Sequence, residues 1–252
     1  MSYSSFARVY DTLTKNVEYA RRAEYYSSLL SENGVNGGLL LDLACGTGGL
    51  SFELAKKGFS VIGVDLSEEM LSVAQNKKYE LGEQNVMFLC QDMRSLDLYG
   101  TVDCCVCALD SLNHLTDEAD LKKAFLNVAL FLENEGMFVF DVNTVFKHRN
   151  ILSGKTFVYD CPGAYCVWQN SEVTDNNTVG ISLDIFSQTP DGAYERSVEE
   201  FAERAYEEKL IKRLLKECDF EDICCYDELS RTPPTETSQR IVFTAKRKNR
   251  NE

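Results

Sequence analysis

Residues Asp42-Leu43-Ala44-Cys45-Gly46-Thr47-Gly48-Gly49 are the stretch of this 252-residue chain best suited to holding a ligand against its backbone. Glycine at positions 46, 48 and 49 lets the chain adopt torsions closed to other residues and lets a ligand approach main-chain atoms closely. Nineteen residues after Gly46 stands Asp65, at the end of an apolar run. A carboxylate there can accept hydrogen bonds from both hydroxyls of a ribose. Asp92 follows a third apolar run, and Asp110-Ser111-Leu112-Asn113-His114-Leu115 follows a fourth. His114 is one of two histidines, and a neutral imidazole can take a proton near neutral pH. Nucleoside binding beside a proton acceptor is the chemistry these residues offer.

The elements that must position them follow from hydropathy. Gly38 to Leu43 is a nearly continuous apolar run, as in a strand buried on both faces. Leu50 to Lys57 reads as a helix stopped by Gly58. Phe59 to Asp65 reads as a second strand, and Ser67 caps a helix with Glu68 and Glu69 near its positive end. Val86 to Cys90 and Val102 to Ala108 give two more strands. Leu121, Ala124, Phe125, Val128, Ala129 and Leu132 form one helical face, Gly136 breaks that helix, and Met137 to Val142 gives a fifth strand. Alternation at this spacing implies right-handed crossovers and a parallel sheet.

After Asn143 the rhythm changes. Segments 155–160, 164–170, 177–186 and 193–203 are β-rich and separated by Pro162-Gly163, Asp175-Asn176-Asn177 and Pro190-Asp191-Gly192, as in an antiparallel sheet. A helix at Tyr206 to Cys218 and strands at Phe220 to Tyr226 and Arg240 to Lys246 complete the chain. The expected organisation is therefore a Rossmann-like α/β domain from 1–143 and 205–252, with a β-rich insertion at 144–204. Tyr159, Tyr165, Trp168 and Phe186 of that insertion are expected to roof the site. The first 30 residues read as helical.

Hydrophobic residues make up 44% and charged residues 26%, enough for a core. The formal charge of −14 repels phosphate backbones and anionic lipid surfaces, which argues against a nucleic-acid or membrane partner and for a neutral or cationic small molecule. Lys246, Arg247, Lys248 and Arg250 read as a solvated tail, and His148 as a surface residue. Ten cysteines lie mostly in apolar runs without paired C-x₂-C ligand spacing, so we expect reduced thiols packed as small core residues and no metal. No apolar stretch is long enough to cross a bilayer, and the N-terminus lacks a secretory apolar run, so a cytoplasmic location is expected.

Two cofactor classes use a glycine turn followed by an acid. A dinucleotide site wants G-x-G-x-x-G, and the third position here is Ser51; nor does it need the acid that this chain carries at Asp42. The runs LDLACGTG, VIGVDLSEEML and FLCQDM resemble the first three motifs of class I S-adenosylmethionine-dependent methyltransferases. The resemblance implies the fold of that family, mostly parallel with an antiparallel last strand, and S-adenosyl-L-methionine as cofactor. By the same resemblance Ala44, Cys45 and Gly46 lie along its methionine end and Asp65 binds its ribose. Leu66 and Met70 then cover the adenine, and Asp92 with Met93 contacts the adenine amino edge.

The whole chain is similar to small-molecule methyltransferases of the amino-sugar N-methyltransferase and glycine N-methyltransferase type. Tyr10 and Tyr19 resemble a tyrosine pair found there over cofactor and substrate, and His114 lies in the position of a histidine proposed as a base. The expectation is methyl transfer to a small-molecule acceptor, an amine first among them, by a monomer or homodimer, with Tyr10 and His114 ordering or deprotonating that acceptor. A non-catalytic S-adenosylmethionine-binding protein, and methylation of RNA or protein, are the alternatives.

Overall fold

A computed structural model describes residues 4–249 of the chain. Two N-terminal helices, α1 (Ser4–Leu13) and α2 (Tyr19–Glu32), precede an alternating run: β1 (Gly38–Leu43), α3 (Gly49–Lys56), β2 (Phe59–Asp65), α4 (Glu68–Leu81), β3 (Val86–Cys90), β4 (Val102–Cys107), α5 (Glu118–Phe131) and β5 (Leu132–Asn143). Four strands follow without an intervening α-helix, β6 (Thr156–Cys161), β7 (Ala164–Asn170), β8 (Thr178–Gln188) and β9 (Tyr194–Arg204). The chain then forms α6 (Glu208–Glu217), β10 (Phe220–Asp227) and β11 (Arg240–Arg247).

Seven strands make one sheet in the order β10-β11-β5-β4-β1-β2-β3. β3, β2, β1, β4 and β5 run parallel, and β11 is antiparallel to both β5 and β10. The order reverses beside β1, and at such a switch the carboxyl ends of the strands open a crevice. Both faces of the sheet are buried. Leu41, Leu43, Phe138, Phe140 and Phe243 pack under α5 and α6, while Leu40, Val61, Val106 and Val139 pack under α2 and α3. Strands buried on both sides account for the unbroken apolar runs of the sequence. Among the described residues, no helix is long and apolar enough to cross a membrane.

The insertion folds as a separate antiparallel sheet, β6-β7-β8-β9. One of its faces, built on Ala164, Cys166, Val179, Ile181, Leu183 and Ile185, closes over Val9 of α1 with Phe6 and Leu13 alongside. Tyr159 and Trp168 lie on this face, but Tyr165 and Phe186 pair with each other on the opposite one. The expectation that all four rings roof the site is therefore corrected. Strand alternation separates them, because each strand contributes alternate residues to the two faces.

Other expectations also need correcting. Leu132 begins β5 and does not end α5, and Glu135 takes φ +64° ahead of Gly136, where a Cβ would sit 2.9 Å from two carbonyl oxygens. Lys246 and Arg247 are not a loose tail. Arg247 is 4% exposed, and its guanidinium donates to the Ala129 carbonyl at 2.8 Å and the Asp219 carbonyl at 3.1 Å. Arg250 lies outside the described residues. His148 is fully buried in a short π-helical turn, Lys147–Leu152. All ten cysteines are free; most are packed as expected, but Cys90 and Cys224 are exposed.

Candidate active site

The glycine loop leaves β1 with Ala44 at φ +59° and Gly46 at φ +55°. The turn is held by Cys45 N–H donating to the Val64 carbonyl, and by Gly46 N–H donating to Asp65 Oδ2 at 2.7 Å. The other Asp65 oxygen accepts from Ser67 N–H at 2.9 Å. Burial pushes the Asp65 carboxyl above its ordinary range, against the backbone N–H groups that pull it down. A Cβ at Gly46 would meet nothing within 4 Å, so space is open over the loop. At Gly49 a Cβ would lie 2.8 Å from the Tyr19 ring, which rests on the first turn of α3.

Beyond Asp65, Leu66 presents an apolar side chain that is 65% exposed, while Met70 is buried behind it. Met93 packs partly buried against the larger core, and the Asp92 carboxylate is taken by the Arg94 guanidinium, Nε to Oδ1 at 2.9 Å and to Oδ2 at 3.0 Å. That guanidinium holds the Asp92 carboxyl below its usual range. Loop, Asp65 and Leu66 lie at adjoining strand ends with open space between them, and so fit an adenosine-bearing cofactor. The Asp92 carboxylate, by contrast, is engaged by the Arg94 guanidinium and by Arg94 N–H at 2.8 Å.

Sequence reasoning did not assign the latch that closes α1 onto this loop. Thr47 Oγ1 donates to Asp11 Oδ1 at 2.6 Å, Lys77 of α4 pairs with the other Asp11 oxygen, and Lys77 Nζ donates to the Thr47 carbonyl at 3.0 Å. One residue earlier, Tyr10 faces Tyr19, Asp110 and Asp65; burial first, then those neighbours, push its hydroxyl well above the ordinary value. Tyr10 thus keeps its hydroxyl proton.

On the β4 side, Leu109 and Asp110 both take left-handed torsions, at φ +59° and +54°. The Asp141 carboxylate of β5 pins them, accepting from Leu109 N–H at 2.9 Å and Asp110 N–H at 2.8 Å. Arg240 pairs with Asp141 and with Asp110, the latter at 3.0 Å. Burial works to raise both carboxyls, but the Arg240 cation outweighs it and holds each below the usual range. The turn Ser111–His114 that follows is anchored by fully buried Asn113. Its amide donates to the Asn143 and Arg204 carbonyls at 3.2 and 2.9 Å, and its oxygen accepts from Asn143 N–H at 2.9 Å.

His114 is carried at the end of that turn. Its side chain is 47% exposed, its ring centroid lies 5.0 Å from that of Phe201 on β9, and it feels the charges of Asp110 and Asp65. Crowding by the protein lowers its pKa, and the two carboxylates only partly oppose this, so the ring is neutral at physiological pH. The structure therefore brings Tyr10, Tyr19, Asp65 and His114 to one crevice, while the Asp92 carboxylate is held by Arg94.

A model of the methyltransferase domain matches residues 40–136. The chain is 35% identical to protein YqeM of Bacillus subtilis (strain 168), carried under a methyltransferase name, over 98% of each chain. It superposes on the crystal structure of an S-adenosylmethionine-dependent methyltransferase from Clostridium acetobutylicum ATCC 824 with a TM-score of 0.87 and 33% identity, covering 98% of this chain and 99% of that one. The chain belongs to the class I S-adenosylmethionine-dependent methyltransferases. Human glycine N-methyltransferase is 30% identical over 71% of this chain and 65% of its own length. The methyltransferase thus takes S-adenosyl-L-methionine as its cofactor.

Proposed function

We propose that this methyltransferase N-methylates a small-molecule amine, with His114 receiving the proton that the amine must lose. The observation that carries the reading is the neutral, half-exposed imidazole of His114 in the crevice shared with Asp65. S-adenosyl-L-methionine supplies a sulfonium-bound methyl group when bound. Asp65 would hold its ribose, Ala44 to Gly46 its methionine end, and Leu66 with Met70 its adenine, with Met93 and Asp92 alongside. Tyr19 covers the loop side, and the protonated Tyr10 hydroxyl donates to the acceptor and orients it. Positioning and exclusion of water supply most of the acceleration in such a displacement. The relationship to glycine N-methyltransferase and the −14 charge both favour an amine over RNA or an anionic surface.

The test is release of S-adenosylhomocysteine across a panel of glycine, sarcosine, aliphatic amines and amino sugars, with hydroxylated and carboxylated analogues lacking nitrogen as controls. Turnover confined to the amines supports the reading. Turnover confined to the nitrogen-free analogues, or to RNA or protein, overturns it.

A further inference from the structure

The only two histidines of this chain lie on opposite sides of one buried glutamic acid. Glu203, near the end of β9 and 3% exposed, has Oε1 3.8 Å from His114 Nε2 and Oε2 3.8 Å from His148 Nε2. Oε2 also accepts from Asn143 Nδ2 at 3.3 Å. The hydrogen bonds around His148 fix its tautomer. Its Nδ1 lies 3.0 Å from the Asn177 carbonyl, which can only accept, so Nδ1 carries the hydrogen. The other nitrogen, Nε2, then bears a lone pair, is buried without a hydrogen-bond partner, and faces Glu203. A lone pair there calls for a donor, and the protonated acid form of Glu203 is the group in place to supply one.

We propose that Glu203, steadied by His148, is the positioning residue that sets the tautomer of His114 and so aims its Nδ1 at the methyl acceptor. With Oε2–H directed at His148, the Oε1 carbonyl of the acid is left as an acceptor, and His114 meets it with Nε2–H. The 3.8 Å separation is long for a hydrogen bond, as base contacts often are before substrate closes the site. The lone pair of His114 then resides on Nδ1, on the other side of the ring. An acceptor ammonium gives its N–H proton to Nδ1, the nitrogen keeps the electron pair that attacks the methyl group, and the imidazolium that results sits against Glu203. Other charged groups bear on the pair: Asp110 and Asp65 on His114, and Asp110, Lys147 and Arg240 on Glu203. Lys147 is held by Asn143 Oδ1 at 2.8 Å. Burial raises the Glu203 carboxyl to about 8, consistent with the acid form. The consequence is that the β insertion supplies the orientation of a base carried by the other sheet.

This inference rests on the amine reading, but its test needs no acceptor. Nitrogen-15 spectra of the two histidine rings in the full-length protein, assigned with His114→Asn, report each tautomer directly. The expected result is Nδ1–H for His148 and Nε2–H for His114. In Glu203→Leu, which removes both the acceptor and the donor, the His114 ring should lose its tautomer preference and its apparent pKa should fall by roughly half a unit or more. Glu203→Gln, whose amide reproduces both groups, should keep the tautomers. S-adenosylmethionine affinity is unchanged in each. Predominant Nδ1–H at His114 in the unaltered protein overturns the proposal. So does a His114 tautomer and titration that are the same in a folded Glu203→Leu variant. If that variant does not fold, the wild-type spectra alone decide. Correct tautomers in a protein that methylates no amine would leave the positioning in place and remove the amine reading.

Discussion

Asp65 and Gly46 are joined by a hydrogen bond of 2.7 Å between a strand-end carboxylate and the backbone of the glycine loop. Because the second oxygen accepts from Ser67, Asp65 braces both walls of the pocket it is assigned to fill. Replacing Asp65 with Ala should weaken S-adenosylmethionine binding by about 1.5–3 kcal/mol, the scale of lost charge-assisted hydrogen bonds. Titration calorimetry showing undiminished affinity in a folded variant would remove Asp65 from the site.

His114→Asn should lower kcat by about 10²–10⁴-fold at neutral pH, the usual contribution of a positioned base. The loss should shrink as pH rises, because more of the amine then arrives already neutral. Cofactor affinity should hardly move. A pH–rate profile parallel to wild type and close to it in magnitude would return His114 to a structural role.

Asn113 offers a test of how the two sheets are tied. It bonds the ends of β5 and β9 at once, so Asn113→Ala leaves two buried carbonyls and one N–H without their partner. Unsatisfied buried groups cost about 1–3 kcal/mol, and for a chain of this size that lowers the melting temperature by roughly 2–12 °C. Calorimetric melting of the variant within a degree or so of wild type would show that the tie is dispensable.

The stability contributed by Glu203 and Asp42 should fall as pH rises from acid to mildly alkaline conditions. Burial lifts the Glu203 carboxyl to about 8 and that of Asp42 to about 7. A carboxyl raised in the folded state keeps its proton there while the unfolded chain has lost it. Its contribution is therefore full below the unfolded value and lost as pH passes the folded one. Because the lowered values of His114 and His148 add stability with rising pH over the same range, the Glu203 contribution is read as a difference: the melting temperature of the unaltered protein minus that of Glu203→Gln should fall between about pH 5 and pH 8. A difference that stays constant or grows over this range would contradict the burial assigned to Glu203.

The cofactor half of the site was legible because its signals are local. Gly46 and Asp65 come from adjacent strand ends in a fixed register, and runs such as Leu39-Leu40-Leu41 mark strands whose faces are both covered. The acceptor half depends on contacts between distant segments, which periodicity does not encode. His148 and Glu203 are 55 positions apart and look like surface residues until the insertion folds back. Arg240 seemed one cation of an ordinary strand, yet it is the counter-charge to Asp110 and Asp141. The basic run at Lys246 and Arg247 misled because charge suggests solvent, whereas the Arg247 guanidinium caps main-chain carbonyls of α5 and of the turn before β10. Tyr165 and Phe186 misled because composition identifies an aromatic strand but not which face its rings occupy.

Helix α1 lies against the insertion through Val9 and is latched to the glycine loop through Asp11. On the proposed assignment of the site, the methyl donor and the acceptor would share this helix as a wall. An acceptor that drew the insertion down onto α1 would strengthen the grip on the donor, and by thermodynamic reciprocity the donor would favour the acceptor by the same factor. The two affinities are linked quantities, and each has meaning only when the occupancy of the other pocket is stated.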